Sequence, residues 1–246
     1  MLTEPTMEKL KAMRLDGMIG AWQEQLQNAK THALAFDERL ALLVDAEWTH
    51  RENARFKRAL RDAKLKIGQA CIEDIDYPPK RDLEKAVVRQ LASCRWIQEH
   101  QSVLITGATG VGKSYVACAL AQQACRKGFR AVYRRSSRLF EELKLARADG
   151  TYPRLLVRLS RFDVLVLDDF AIQPITDAQR SDLLEVLEDR YETRSTIVTS
   201  QLPPSQWHDY LADPSLADAI CDRLLSNAHR VVLKGPSRRK EKQPQN

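Results

Sequence analysis

Residues 107–114 read GATGVGKS, and no other stretch of this 246-residue chain restricts its fold so tightly. Gly107, Gly112, Lys113 and Ser114 satisfy G-x-x-x-x-G-K-[ST]. Glycines let such a loop fold round an anion, and successive backbone N–H groups and the following helix N-terminus point at phosphates. The motif therefore requires a strand before it and a helix after it. Both are legible: Ser102–Thr106 (SVLIT) is apolar without alternation, as a strand buried on both faces must be, and a helix is expected from Lys113 to about Arg126. The loop Gly107, Ala108, Thr109, Gly110, Val111, Gly112, Lys113, Ser114 and Tyr115 is the expected cradle for a nucleoside triphosphate. Lys113 supplies a point charge on the β- and γ-phosphates, and the Ser114 hydroxyl is a ligand for Mg²⁺.

The rest of the chain extends the alternation. Expected elements are a helix over Asp82–Glu99, a strand at Ala131–Tyr133, a helix over Ser136–Ala148 and a buried strand at Phe162–Leu167. A helix to Tyr191 follows, opened by a capping box of Thr176 and Gln179, with further strands at Thr196–Thr199 and Val231–Leu233. Strands alternating with helices mean an α/β fold with a parallel sheet covered on both faces. Before this region the period is helical throughout. Leu15, Met18, Ile19, Trp22 and Leu26 share one helix face, and Phe36, Leu40, Leu43, Val44 and Trp48 share one side of a second run, Phe36 to Lys66. Gly68 and Tyr77-Pro78-Pro79 break the pattern. The expected division is 1–70 helical, 71–235 nucleotide-binding, and 236–246 a basic, disordered tail.

Composition excludes several classes. The longest aliphatic run is Val164–Leu167, far short of the ~20 residues of a spanning helix, and the N-terminus has no signal-type apolar segment. No membrane partner is expected. The five cysteines show no C-x-x-C pair and no zinc spacing, which fits a reducing cytoplasm. Net charge is +6 but clustered: residues 51–66 hold seven bases against two acids, and residues 126–161 eleven against three. Such clusters are the electrostatic footprint of a phosphate-rich polymer. The richest, Arg134, Arg135 and Arg138, follows the second strand of the α/β region.

Three further elements bear on chemistry. In VLVLDD, an apolar strand ends in acids: Asp168 is the metal-side candidate, and Asp169 the candidate to orient an attacking water. The strand TIVT ends in Ser200 and Gln201, either of which suits a γ-phosphate sensor. Arg223 interrupts the apolar run Ala219–Leu225; it either pairs locally with Asp222 or reaches a neighbouring subunit's nucleotide in trans.

With these elements in this order the chain resembles the AAA+ ATPases, and within them the DnaC/IstB branch, most closely the IstB helper ATPases of insertion sequences. The resemblance runs through LDGMIGAWQEQL, DYPPKR, LITGATGVGKS, VLVLDDF, DRYETRSTIVTSQLP, DAICDRLLSNAHR and GPSRRK. It implies ATP and Mg²⁺ as ligands and a five-stranded parallel sheet in order 5-1-4-3-2. It implies no substantial C-terminal lid, a small all-helical N-terminal domain, and a ring or spiral homo-oligomer on double-stranded DNA. It names a transposase of the integrase type as partner, makes Arg223 the trans-acting arginine finger, and lines the inner surface of the ring with Arg134, Arg135 and Arg138. Gly235, Ser237 and Arg239 fit the family's G-x-S-x-R ending, so Arg239 is a second candidate near the phosphates. Asp169 stands where most AAA+ enzymes carry Glu, which implies slow turnover. Competing readings are a DnaC-like helicase loader, a monomeric small-molecule kinase and a non-hydrolysing DNA-packaging protein.

Overall fold

The computed structural model describes residues 3–238 and divides into two compact units, 1–58 and 59–246. Arg239 lies outside the described residues. The first unit contains α1 (Thr3–Ala12), α2 (Asp16–Gln27), α3 (Ala29–His32) and most of α4 (Phe36–Ala63). Asn28 separates α2 from α3 and caps the latter, its side chain accepting the Lys30 N–H at 3.1 Å. Helices α2 and α4 meet at backbone contact: a Cβ on Gly17 would lie 2.6 Å from His50 Cβ and 2.7 Å from the Ala46 carbonyl. Next to that crossing the buried Glu47 accepts the Met18 N–H at 3.1 Å and pairs with Arg51 at 2.6 Å. The α4 face turned to α2 is thus polar. The apolar stripe expected to bury faces elsewhere, leaving Phe36 74% and Trp48 70% exposed. Ile19 is the one buried apolar side chain among residues 3–58.

The second unit is the α/β body. A 3₁₀ turn (Pro79–Arg81) leads to α5 (Lys85–Ala92) and α6 (Arg95–Gln98), where the sequence suggests one helix over Asp82–Glu99. The interruption is Cys94, in the left-handed region at φ 62°, and the Trp96 indole N–H closes the corner on the Leu91 carbonyl at 2.9 Å. In a straight helix Leu91 and Trp96 would point about 140° apart at 3.6 residues per turn. The corner buries both.

The sheet comprises β1 (Ser102–Gly107), β2 (Ala131–Arg135), β3 (Val164–Phe170), β4 (Ser195–Ser200) and β5 (Ala228–Leu233). Its spatial order is β2-β3-β4-β1-β5, all parallel, which is the expected 5-1-4-3-2 arrangement. All six β4 residues are buried, explaining the unalternating pattern of TIVT. One face is covered by α7 (Lys113–Arg126), in which Ala117, Ala119, Ala121 and Ala124 are all buried. The other face is covered by α8 (Ser136–Ala148), α9 (Tyr152–Ser160), α10 (Asp177–Glu188), α11 (Trp207–Leu211) and α12 (Pro214–Leu225). Leu139, Leu143, Leu183, Leu187, Ile220 and Leu224 pack there against Leu104, Val132, Leu165 and Val198. α9 has no counterpart among the sequence expectations; it follows Thr151, carries Pro153 in its first turn and buries Leu155 and Leu159. The capping box at the start of α10 forms as expected between Thr176 and Gln179. No described helix follows β5, and none in the described chain is long and apolar enough to cross a membrane.

Candidate functional site: a phosphate cradle at the carboxyl end of the sheet

The loop after β1 turns back into α7 through conformations that exclude side chains. Gly107 has φ 145°, and a Cβ there would collide with the Leu233 carbonyl of β5. Gly112 has φ 99°, and a Cβ there would meet the Arg81 guanidinium at 2.7 Å. Lys113 opens α7, its ammonium donating to the Gly107 and Ala108 carbonyls at 2.7 and 2.9 Å. Segment 234–238 crosses the loop: the Arg238 N–H donates to the Gly110 carbonyl at 3.0 Å, and the Arg238 guanidinium pairs with Asp76. Beside the loop a groove of about 570 Å³ is lined by Ile67, Gln69, Asp76, Arg81, Gly112, Tyr115 and Arg238.

The two acids of VLVLDD sit on a β-bulge. Pairing of β3 with β4 shifts register between Leu167 and Phe170, and Asp169 takes a left-handed φ of 60°. Thr199 repairs the ladder there: its hydroxyl accepts the Asp169 N–H at 3.0 Å and donates to Asp168 Oδ1 at 2.5 Å. Ser114 donates to the same carboxylate, lying 2.8 and 2.9 Å from its two oxygens. The Tyr133 hydroxyl of β2 donates to Oδ2 at 2.5 Å, and the Ser136 hydroxyl donates to the Asp168 carbonyl at 3.0 Å. Asp168 is fully buried, and burial alone would raise its pKa. The bonds from Thr199, Tyr133 and Ser114, with the charge of Lys66, outweigh burial and hold the carboxyl below its usual range. Tyr133 is driven upward, by burial first and by Asp168 second.

These oxygens fit a magnesium ion. A hydroxyl and an ionised carboxylate converge at the helix N-terminus, the hard-oxygen set a cation bridging phosphates uses, and no cluster of three or more His, Cys, Asp or Glu suited to a metal exists among the described residues. Thr199, Tyr133, Ser136 and Lys66 were not singled out by sequence. Thr199 lies in the quoted strand TIVT, and only the bulge aims it at Asp168. Ser200 is buried and its hydroxyl accepts the Leu202 N–H at 3.1 Å, while Gln201 is exposed.

Of the remaining candidates, Arg135 touches the site through Asp169 and the others lie elsewhere. Arg134 is turned to Glu142 at 3.1 Å with its side chain 13% exposed; Arg135 pairs with Asp169 at 3.0 Å, and Arg138, 76% exposed, with Glu141 at 3.0 Å. Arg223 sits near the C-terminus of α12, just before β5 begins, and therefore at the amino end of the sheet. Its guanidinium bonds to Glu188 of α10 and to the Ala219 carbonyl, stacks 5.7 Å from the Tyr191 ring, and lies 3.8 Å from Asp222. The Glu188 bond raises its pKa further. Ser102, at that end of β1, is separated from Gly107 at the other by roughly 17 Å of strand, five steps at ~3.3 Å each.

A family model described as "IstB-like ATP binding protein" matches residues 8–246. The chain belongs to that family. Its sequence is 46% identical over 240 residues to a putative insertion sequence ATP-binding protein, y4pL, of Sinorhizobium fredii, covering 98% of each chain. It is likewise 46% identical to the insertion sequence IS1162 putative ATP-binding protein of Pseudomonas fluorescens, over 83% of this chain and 89% of that one. Among solved structures the DnaC helicase loader superposes with a TM-score of 0.54 at 22% identity, over 67% of this chain and 97% of the loader. This last likeness concerns the fold alone: the α/β body is built like that of the DnaC loader.

Proposed function

We propose that this chain is a Mg²⁺-dependent ATPase that assembles on double-stranded DNA and delivers it to an integrase-type transposase. One observation carries the reading: the cradle and Arg223 occupy opposite ends of one parallel sheet. Within one chain Arg223 cannot serve its own nucleotide; stacked subunits would bring it to a neighbour's γ-phosphate.

Each residue then has a role. Backbone N–H groups of residues 107–114 hold the phosphates, and Lys113 exchanges its loop carbonyls for phosphate oxygens. Magnesium, when bound, neutralises the charge developing between the β- and γ-phosphates. Ser114 and Asp168 would hold it. Asp169 orients the attacking water, and the Thr199 hydroxyl fixes the Asp168 carboxylate and the Asp169 backbone N–H. Arg223 stabilises transition-state charge in trans, leaving the exposed Glu188 to do so.

The DNA track is Arg134, Arg135 and Arg138, repeated from subunit to subunit. Phosphate contacts of this kind are largely sequence-independent. Since Arg135 is also paired with Asp169, a DNA phosphate that draws Arg135 away frees Asp169, which supports hydrolysis stimulated by DNA. Residues 1–70 are assigned to partner docking and subunit contacts, 71–235 to the ATPase body and 236–246 to a basic tail. The deciding experiment is negative-stain imaging with dsDNA, with and without ATP. Nucleotide-dependent rings or spirals on DNA are expected; monodisperse single chains under both conditions would overturn the assembly and the trans role together.

A further inference from the structure

Lys66, three residues beyond α4, places its ammonium 3.2 Å from Asp168 Oδ2 and 3.8 Å from Asp169 Oδ2. It is half-exposed, yet it reaches a carboxylate with no exposure at all. Its segment is seated on the nucleotide-binding helix: the backbone N–H groups of Lys66 and Ile67 lie by the buried Cys118 sulfur, one turn beyond Ser114.

The donors on Asp168 differ in kind. A carboxylate has about four lone-pair sites, and Ser114, Thr199, Tyr133 and Lys66 together take that number. Tyr133 and Thr199 stand on strands of the sheet and Ser114 on α7, whereas Lys66 lies in the segment between α4 and the 3₁₀ turn. Lys66 alone carries charge and approaches from the solvent side. Asp168 and Asp169 are meanwhile balanced by two cations, Lys66 and Arg135. A divalent ion held by Ser114 and Asp168 draws on the same oxygens as the ammonium. Two cations cannot both lie within ~3 Å of one oxygen without strong repulsion.

We propose that Lys66 is an internal competitor of the divalent cation, occupying the Asp168–Asp169 pair and expelled when the metal–nucleotide complex loads. Expulsion frees residues 64–67 from the carboxylates, so loading is reported along the chain to the end of α4. The inference rests on the proposed Mg²⁺–ATP site.

The test titrates Mg²⁺ against a fluorescent ATP analogue in the full-length protein, with wild type, Lys66→Met and Lys66→Arg. Thermal unfolding is followed in parallel, with chelator and with Mg²⁺ alone. Lys66→Met should bind the analogue at a Mg²⁺ concentration lower by about two- to fivefold, the scale of a half-exposed ion pair. In chelator it should melt below wild type, because two adjacent carboxylates lose a counter-charge, and Mg²⁺ should raise its melting temperature by more. Lys66→Arg should restore both wild-type behaviours. An unchanged or higher Mg²⁺ requirement in a folded Lys66→Met protein would overturn the inference and leave the ATP site standing. Failure of the wild type to bind the analogue at any Mg²⁺ concentration would overturn both.

Discussion

At the carboxyl end of the sheet a buried aspartate is held by three hydroxyls and an ammonium; at the amino end a partly exposed arginine leans on an exposed glutamate. Both ends carry ionised groups, but the protein treats them in opposite ways. Asp168 is fixed by bonds that are costly to break, since stripping a partner from a buried charge typically costs 3–5 kcal/mol. The Arg223–Glu188 pair is exposed on its acidic side and of the kind worth at most about 1 kcal/mol. A second arginine beside it sharpens the contrast. Arg190 is fully buried, donates to the carbonyls of Leu159, Phe162 and Ser195, and is pushed down to about 9 by burial. One arginine at this end is structural; the other is cheap to release. Rigidity is found at the buried carboxylate, and ease of release at the exposed ion pair.

Arg223→Ala gives the largest expected effect. Hydrolysis should fall about 10³-fold, the lower range for a trans-acting arginine, with nucleotide affinity nearly unchanged. Mixing Arg223→Ala with Lys113→Ala subunits should recover part of the rate, since each supplies what the other lacks. A variant that hydrolyses normally would break the pairing of the two ends. Arg190→Met should instead cost about 3 kcal/mol of stability, measured by denaturant unfolding, because three carbonyls lose a buried donor. Thr199→Val tests the carboxyl end. It leaves the Asp169 N–H unpaired and removes one donor from Asp168, so a loss of about 2 kcal/mol is expected together with slower hydrolysis. Arg135→Ala with Arg138→Ala should lower the slope of log affinity for DNA against log salt by ~2, with little change in stability.

The smallest effect concerns acid. Because the native pKa of Asp168 is depressed, its contribution is complete above the ordinary carboxyl value and is lost as pH falls through its lower native value. Asp168→Asn should therefore show a flatter acid limb of stability than wild type below about pH 4.

Much of the molecule is legible along the chain, for identifiable reasons. Helix α7 starts at Lys113 and ends at Arg126, as expected, because the motif fixes its first residue and Gly128 follows its last. The helix over 82–99 fails because sequence periodicity carries no sign of a left-handed corner at Cys94. The apolar stripe from Phe36 to Trp48 is a true helical face, but a face does not say what it packs on. α2 meets the polar side of α4 instead, through Gly17 and Glu47.

What the sequence determined by itself is local: the GATGVGKS turn, the buried strands and the acids at the end of VLVLDD, all set by backbone sterics and by runs of neighbouring residues. What only the tertiary structure decided is long-range. Thr199 and Tyr133 reach Asp168 from strands 31 and 35 residues away, and Lys66 from 102 residues away. No periodicity encodes those separations, because the register of parallel strands and a single bulge in β3 bring the groups together. Arg223 follows the same logic in reverse, since it is the direction of the strands that sets it at the end of the sheet opposite the GATGVGKS loop.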